Sequence, residues 1–75
     1  MSDKLPAVKP RKLIRALQKV GFQIDHQVGS HVTLLRQSDH RRVIVPVHTR
    51  DLGVGLLVKI IADAGLTKDE FKELL

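Results

Sequence analysis

Between Phe22 and Val47 the apolar residues fall into three short stretches separated by only two brief polar breaks, Val28-Gly29-Ser30 and Gln37-Ser38-Asp39-His40. Strands joined by connections this short pair antiparallel, because a parallel pair needs a long crossover. The expected strands run from Phe22 to Gln27, from His31 to Arg36 and from Arg42 to Val47. In the first, Phe22, Ile24 and His26 alternate with Gln23, Asp25 and Gln27, the period of two that marks a strand. Gly29 is free to take the positive φ that a tight connection asks for. Pro46 lacks an N–H for a ladder, so its end of the third strand is an edge or an exit.

The flanks of this region have the period of a helix. After Pro10, which suits a first helical turn, Leu13, Ile14, Leu17 and Val20 make one apolar stripe. Arg11, Lys12, Arg15 and Lys19 mostly occupy the other face, and Gly21 stands where a helix C-cap glycine belongs. A second helix is expected from about Leu52 to Ala64, with Leu52, Leu56, Leu57, Ile60, Ile61 and Ala64 on its apolar side. Gly53 and Gly55 weaken its start, which can slip as late as Gly55. Gly65 closes it. Thr67-Lys68-Asp69-Glu70 then matches a capping box and opens a short last helix carrying Phe71, Leu74 and Leu75. The expected fold is α+β in the order α-β-β-β-α, a three-stranded antiparallel sheet with its helices on one face and the other face open. Double-stranded-RNA-binding domains share this layout, as do other folds. Residues 1–8 read as a flexible lead-in and 9–75 as one domain.

Size and charge narrow the partners. A chain of 75 residues buries about 60% of the surface its unfolded form exposes, which argues against a large internal cofactor pocket. With 43% apolar residues it can still build one core. Cysteine is absent, so disulfides and thiolate metal sites are excluded. No apolar run approaches the roughly 20 residues of a membrane span, and Met1 to Pro6 lack the apolar stretch of a signal peptide; the expectation is a cytoplasmic protein without a membrane partner. Residues 1–60 hold 11 of the 13 basic side chains against Asp3, Asp25, Asp39 and Asp51, a net of +7, whereas the last fifteen residues carry a net of −2. A basic body of this kind fits a polyanion such as RNA; the plainer alternative is a soluble basic surface.

Four histidines, His26, His31, His40 and His48, supply the groups best suited to acid–base work near neutrality. His40, at a hairpin tip, reads as a solvated loop residue. His31 follows the Gly29-Ser30 turn and is fixed by a strand, so it either presents an imidazole to a phosphodiester or packs at the strand end bonded to a carbonyl. A hairpin centred on Ser38-Asp39 brings residues near 31 opposite residues near 46, which places His48 at the same sheet end, either as a second catalytic group or as a structural cap. The histidine spacings match no zinc motif, no nucleophile elbow surrounds Ser30, and Gly53-Val54-Gly55 lacks the lysine of a phosphate loop. The basic residues Arg11, Lys12, Arg15, Lys19, Arg36, Arg41, Arg42, Arg50 and Lys59 are candidate phosphate contacts, which give affinity with little sequence information. Phe22 and Phe71, the only aromatics, fall on core faces. Recognition through backbone, 2′-hydroxyls and helix shape is therefore favoured over base stacking.

Gln27-Val28-Gly29-Ser30-His31, Val45-Pro46-Val47-His48, Gly55-Leu56-Leu57 with Ile60-Ile61, Ala64-Gly65-Leu66-Thr67 with Glu70-Phe71, and the opening Leu17-x-x-Val20-Gly21-Phe22 together closely resemble the HicA (YcfA-like) mRNA interferase toxins, over nearly the whole chain from Pro10 onward. The resemblance implies a double-stranded-RNA-binding-like fold and an endoribonuclease that cleaves mRNA, with His31 as the catalytic residue. It also implies a HicB-type antitoxin that covers the site. The chain departs from the family at His26, where an arginine or lysine is usual, and at Val54 and Leu56, where members commonly carry lysine and threonine, a change that can weaken RNA contact. The expected activity is metal-free and cofactor-free transphosphorylation with His31 as base and His48 or water as acid. Gly29 and Ser30 are expected to place the phosphate, with Lys12, Arg15, Arg36, Arg42 and Arg50 on the RNA. The alternative is a non-catalytic double-stranded-RNA-binding module.

Overall fold

The computed structural model describes residues 5–48 and 50–75. Its elements are α1 (Pro10–Lys19), β1 (Gln23–Val28), β2 (His31–Arg36), β3 (Arg41–Pro46), α2 (Val54–Asp63) and α3 (Lys68–Glu73). The strands form one antiparallel sheet in the order β1-β2-β3, and the α+β meander expected from the sequence is the fold observed. Of the lead-in expected over residues 1–8, residues 1–4 lie outside the described residues. Residues 5–8 form no regular element, yet Val8 is buried in the core and its carbonyl accepts a hydrogen bond from the Leu52 N–H at 2.9 Å.

Alternation along β2 and β3 sorts the sheet into two faces. Val32, Leu34, Val43 and Val45 point to the helices and are buried with Leu13, Leu17, Phe22, Leu57, Ile60, Ile61 and Phe71. By register, His31, Thr33 and Leu35 stand on the other face opposite Pro46, Ile44 and Arg42. The Val47 N–H reaches the Ser30 carbonyl at 2.6 Å. The N–H of residue 47 therefore points toward β2, and the nitrogen of Pro46 points to the open edge. A proline there removes no bond from the ladder, which is why the last position of an edge strand tolerates it.

Two expectations shift in register. β1 carries an irregularity between Ile24 and His26, so that Ile24 pairs with Leu34 and His26 with Thr33. The alternation read from Phe22 is broken at Asp25, as at a β-bulge, and His26 changes face. α2 begins at Val54 rather than Leu52. Gly53 is its extended N-cap, while Leu52 packs into the core ahead of the helix.

Both long helices end in the same way. Gly21 (φ +97°) and Gly65 (φ +75°) take the left-handed conformation just past α1 and α2. The Phe22 N–H bonds to the Leu17 carbonyl and the Gly21 N–H to that of Gln18; Leu66 and Gly65 repeat this with Ile61 and Ala62. These are paired Schellman motifs, each followed by an apolar residue. α3 opens on the expected capping box: Thr67 Oγ1 accepts from the Glu70 N–H at 3.1 Å, and Glu70 Oε1 accepts from the Thr67 N–H at 2.8 Å.

The β2–β3 hairpin is locked onto these helix ends. Arg36 Nη1 donates to the Val20 carbonyl at 3.0 Å, and Nη2 donates to the Ala64 carbonyl at 3.1 Å and to Asp39 Oδ2 at 2.8 Å. Its guanidinium carbon lies 4.6 Å from the centre of the Phe22 ring. Arg41 donates to Asp39 Oδ2 and to the Asp63 carbonyl. The hydrogen bonds from Arg36, then the Arg41 backbone N–H and the charges of both arginines, hold the Asp39 carboxyl down at about 2, against an ordinary value of 3.8. A depressed carboxyl contributes stability in full above its unfolded value and loses it as the pH falls through the folded one. The denaturation midpoint of the wild-type protein should therefore fall more steeply than that of Asp39→Asn as the pH drops from about 4 to about 2. Parallel curves in a urea titration series would show that Asp39 does not carry this coupling.

Candidate functional site

A two-residue turn, Gly29-Ser30, joins β1 to β2 and aims the first residue of β2. Gly29 has φ +58° and stands at the first central position, as in a type II′ hairpin turn. A Cβ there would meet open space, so it is the backbone conformation that calls for glycine. The Gln27 side-chain amide braces the turn by donating to the Gly29 carbonyl at 2.9 Å. Val28 and His31 close the hairpin as a directly opposed pair.

His31 is exposed, and its imidazole makes no hydrogen bond among the described residues. The alternative in which it is tied to a carbonyl at a strand end is not what the structure adopts. The imidazole lines an open groove with Arg42, Ile44 and Pro46 of β3 and Leu56, Lys59, Ile60 and Asp63 of α2. Lys59 is paired with Asp63 at 2.8 Å, one helical turn along. Val28, Ile44, Leu56 and Val54 are large apolar side chains left exposed on or beside this face. Leu56 is a wall of the groove, and Val54 is exposed at the helix start.

The other expected contacts are dispersed. His48 shares the sheet end with His31 but lines a different groove, with Lys9, Pro10, Arg11 and Val47. Arg15 lines a third, on the helix side beneath β1, together with Arg11, Ile14, Ile24 and Gln27. Lys12 is exposed on α1 and Arg50 on the bend before α2. Arg36 was expected on RNA. Its guanidinium is instead engaged by two carbonyls, the Asp39 carboxylate and the Phe22 ring, which leaves it a fold-holding residue rather than a phosphate contact. Of the basic residues proposed from the sequence as phosphate contacts, Arg42 and Lys59 share a groove with His31. Among the described residues no group of three or more His, Asp or Glu side chains is arranged to hold a metal ion.

One group has no signal in the sequence pattern. The irregularity at Asp25 puts His26 on the open face, where it pairs with Thr33 in the centre of the sheet, one step from His31. Its Nδ1 lies 2.6 Å from Asp25 Oδ2.

A helix, a three-stranded antiparallel meander and the helices that follow it match the α-β-β-β-α fold that the sequence resemblance implies. The profile of the family described as "HicA toxin of bacterial toxin-antitoxin" matches residues 10–66, most of the 75-residue chain. The chain belongs to the HicA toxin family. As a member, it is the toxin component of a bacterial toxin–antitoxin pair, which implies a cognate antitoxin as partner. A search of curated protein sequences returns no significant match. The matched region begins with α1 and stops just after the second Schellman turn, so it contains every contact that Arg36 makes. No helix among the described residues is long and apolar enough to cross a membrane.

Arg36 and Arg42 separate structure from surface in this HicA-family chain. Hydrogen bonds to charged groups contribute about 1.5–3 kcal/mol each, net. Arg36→Ala should cost at least about 2 kcal/mol and lower the thermal midpoint by roughly 8 °C or more. Arg42→Ala, on the exposed face, should change stability by less than about 0.5 kcal/mol. Thermal unfolding followed by circular dichroism would reveal equal losses if the two arginines were equivalent.

Proposed function

We propose that this HicA-family toxin is a metal-independent endoribonuclease that cleaves mRNA through His31 and is neutralised by a HicB-type antitoxin. The observation that carries the reading is the exposed imidazole of His31, without a hydrogen-bond partner among the described residues, set behind the Gly29-Ser30 turn in a groove with Arg42 and Lys59. His31 accepts the proton of a ribose 2′-hydroxyl, and the 2′-oxygen attacks the adjacent phosphorus. General-base catalysis of this kind contributes typically about 10²–10⁴-fold. The open space above Gly29 lets a phosphate approach the turn closely, with the Ser30 hydroxyl beside it.

Arg42 stands opposite Leu35, four residues along from the His31–Pro46 pair. At about 3.3 Å per residue this is roughly 13 Å, so Arg42 holds a flanking phosphate rather than the scissile one. Such contacts set affinity and register without reading sequence. Because no aromatic side chain lies on this face, RNA is engaged through backbone and 2′-hydroxyls. The apolar side chains around the groove suit burial by a protein. An antitoxin seated on Val28, Ile44 and Leu56 would cover His31 at the same time.

The test uses purified protein and a labelled RNA. His31→Ala should abolish cleavage and growth arrest, while circular dichroism and the thermal midpoint stay as in the wild type, because the side chain is exposed. Wild-type cleavage should persist in a chelator and should stop when the nucleotide at the cut carries a 2′-deoxy sugar. Salt-sensitive RNA binding without cleavage by the wild type would identify a binding module instead. Cleavage retained by His31→Ala would remove His31 from the chemistry.

A further inference from the structure

Transphosphorylation needs two proton transfers, one from the attacking 2′-oxygen and one to the departing 5′-oxygen. With His31 as base, the second group must lie on the same face and within reach of the same phosphate. His48 lines another groove, His40 sits at the far hairpin tip with φ +57°, and Lys59 is paired with Asp63.

His26 meets the requirement. It pairs with Thr33, Val28 pairs with His31, and the register between these two pairs is regular. His26 and His31 are therefore diagonal neighbours on one face of an antiparallel pair. Such neighbours lie about 7–8 Å apart. That separation leaves room for a phosphodiester between two imidazoles that each reach about 3 Å. Along β1 the open-face neighbours of His26 are Gln23 and Val28, and across from it stands Thr33. His31 is thus the titratable group next to it across the strands, and Asp25 the one on its own strand.

The Asp25 contact fixes which nitrogen is used. A carboxylate only accepts, so at 2.6 Å from Asp25 Oδ2 the Nδ1 of His26 carries a proton and donates. Nε2 is then the position that exchanges a proton with a ligand. His31 has no such carboxylate and serves as the base.

Resting on the ribonuclease reading of His31, we propose that His26, oriented by Asp25, is the general acid of the reaction. The balance is complete. The 2′-hydroxyl proton passes to His31 as the 2′-oxygen–phosphorus bond forms. The phosphorus–5′-oxygen bond breaks, and the departing oxygen takes the proton from His26 Nε2. The products are a 2′,3′-cyclic phosphate and a 5′-hydroxyl, and exchange with water restores both histidines. The irregularity at Asp25 is what makes this possible, since an unbroken alternation would turn His26 toward the helices.

The test compares two RNA substrates containing the mapped cut site, one unmodified and one with sulfur in place of the departing 5′-oxygen. A thiolate leaves without a proton, so it does not need an acid. On unmodified RNA, His26→Ala and His26→Gln should each lower kcat by about 100-fold or more, with KM within about threefold of the wild type. On the sulfur substrate their deficit should shrink to under about tenfold, whereas His31→Ala should remain inactive on both. Near-wild-type kcat for His26→Gln on unmodified RNA, or an equal deficit on both substrates, overturns the assignment and leaves the role of His31 intact. Cleavage by His31→Ala at the wild-type rate overturns the ribonuclease reading of His31 itself, and the assignment of His26 with it.

Discussion

The guanidinium of Arg36 touches the last carbonyls of α1 and α2, the carboxylate at the tip of the β2–β3 hairpin and the face of Phe22, and the seating of the sheet on the helices depends on it. Helix C-termini carry partial negative charge and unpaired carbonyls. Two helices that end side by side would repel and leave those carbonyls to water. A cation between them answers both needs, and Asp39 keeps that cation in place while turning Arg41 toward the end of α2. Crowding follows from this arrangement. A Cβ on Gly65 would stand 2.8 Å from the Arg41 guanidinium, and one on Gly21 would stand 3.3 Å from the Arg36 side chain. Both glycines serve a left-handed backbone and a close approach at once.

The clamp sorts the basic residues by role. A surplus of positive charge, read as a whole, suggests one surface for a polyanion. The folded chain divides it instead. Arg36 and Arg41 hold helix ends, Lys9 pairs with Asp51 at 3.3 Å, Lys19 bonds the Leu74 carbonyl, and Arg11 and Arg15 lie on the helix side. The face around His31 retains Arg42, with Lys59 of α2 across the groove and paired to Asp63. It gains exposed apolar side chains in their place, so the surface around His31 is mixed rather than uniformly basic. A mixed surface suits the two partners of the proposed function, an RNA and an antitoxin protein.

Much of the fold was legible because local signals agree with each other: Pro10 at a helix start, Gly21 and Gly65 at helix ends, Thr67 to Glu70 as a capping box, and β2 from His31 to Arg36. Each is enforced by the local backbone within a few residues. The roles of Arg36 and His26 were not legible, for different reasons. Arg36 acts on Val20 and Ala64, distant in sequence, and nothing in its neighbours distinguishes it from a solvent-facing arginine. His26 lies in a strand whose six residues are all exposed. Register is read from which residues must be buried, and β1 buries none, so a one-residue irregularity leaves no trace in the hydrophobic pattern.

That same exposure has a mechanical consequence. β1 overhangs the helices and is attached to the domain chiefly by its ladder to β2, without a buried side chain of its own. Elements with few buried contacts open locally at low free energy while the rest stays folded. One half of the candidate site, including Asp25, His26 and the turn glycine, thus sits on a hinged flap, and the other half sits on the rigid strand that the arginine clamp secures. Amide exchange would divide the sheet between these two halves. A partner strand pairing along the free edge of β1 would stiffen the flap and set the spacing of the two imidazoles without touching either one.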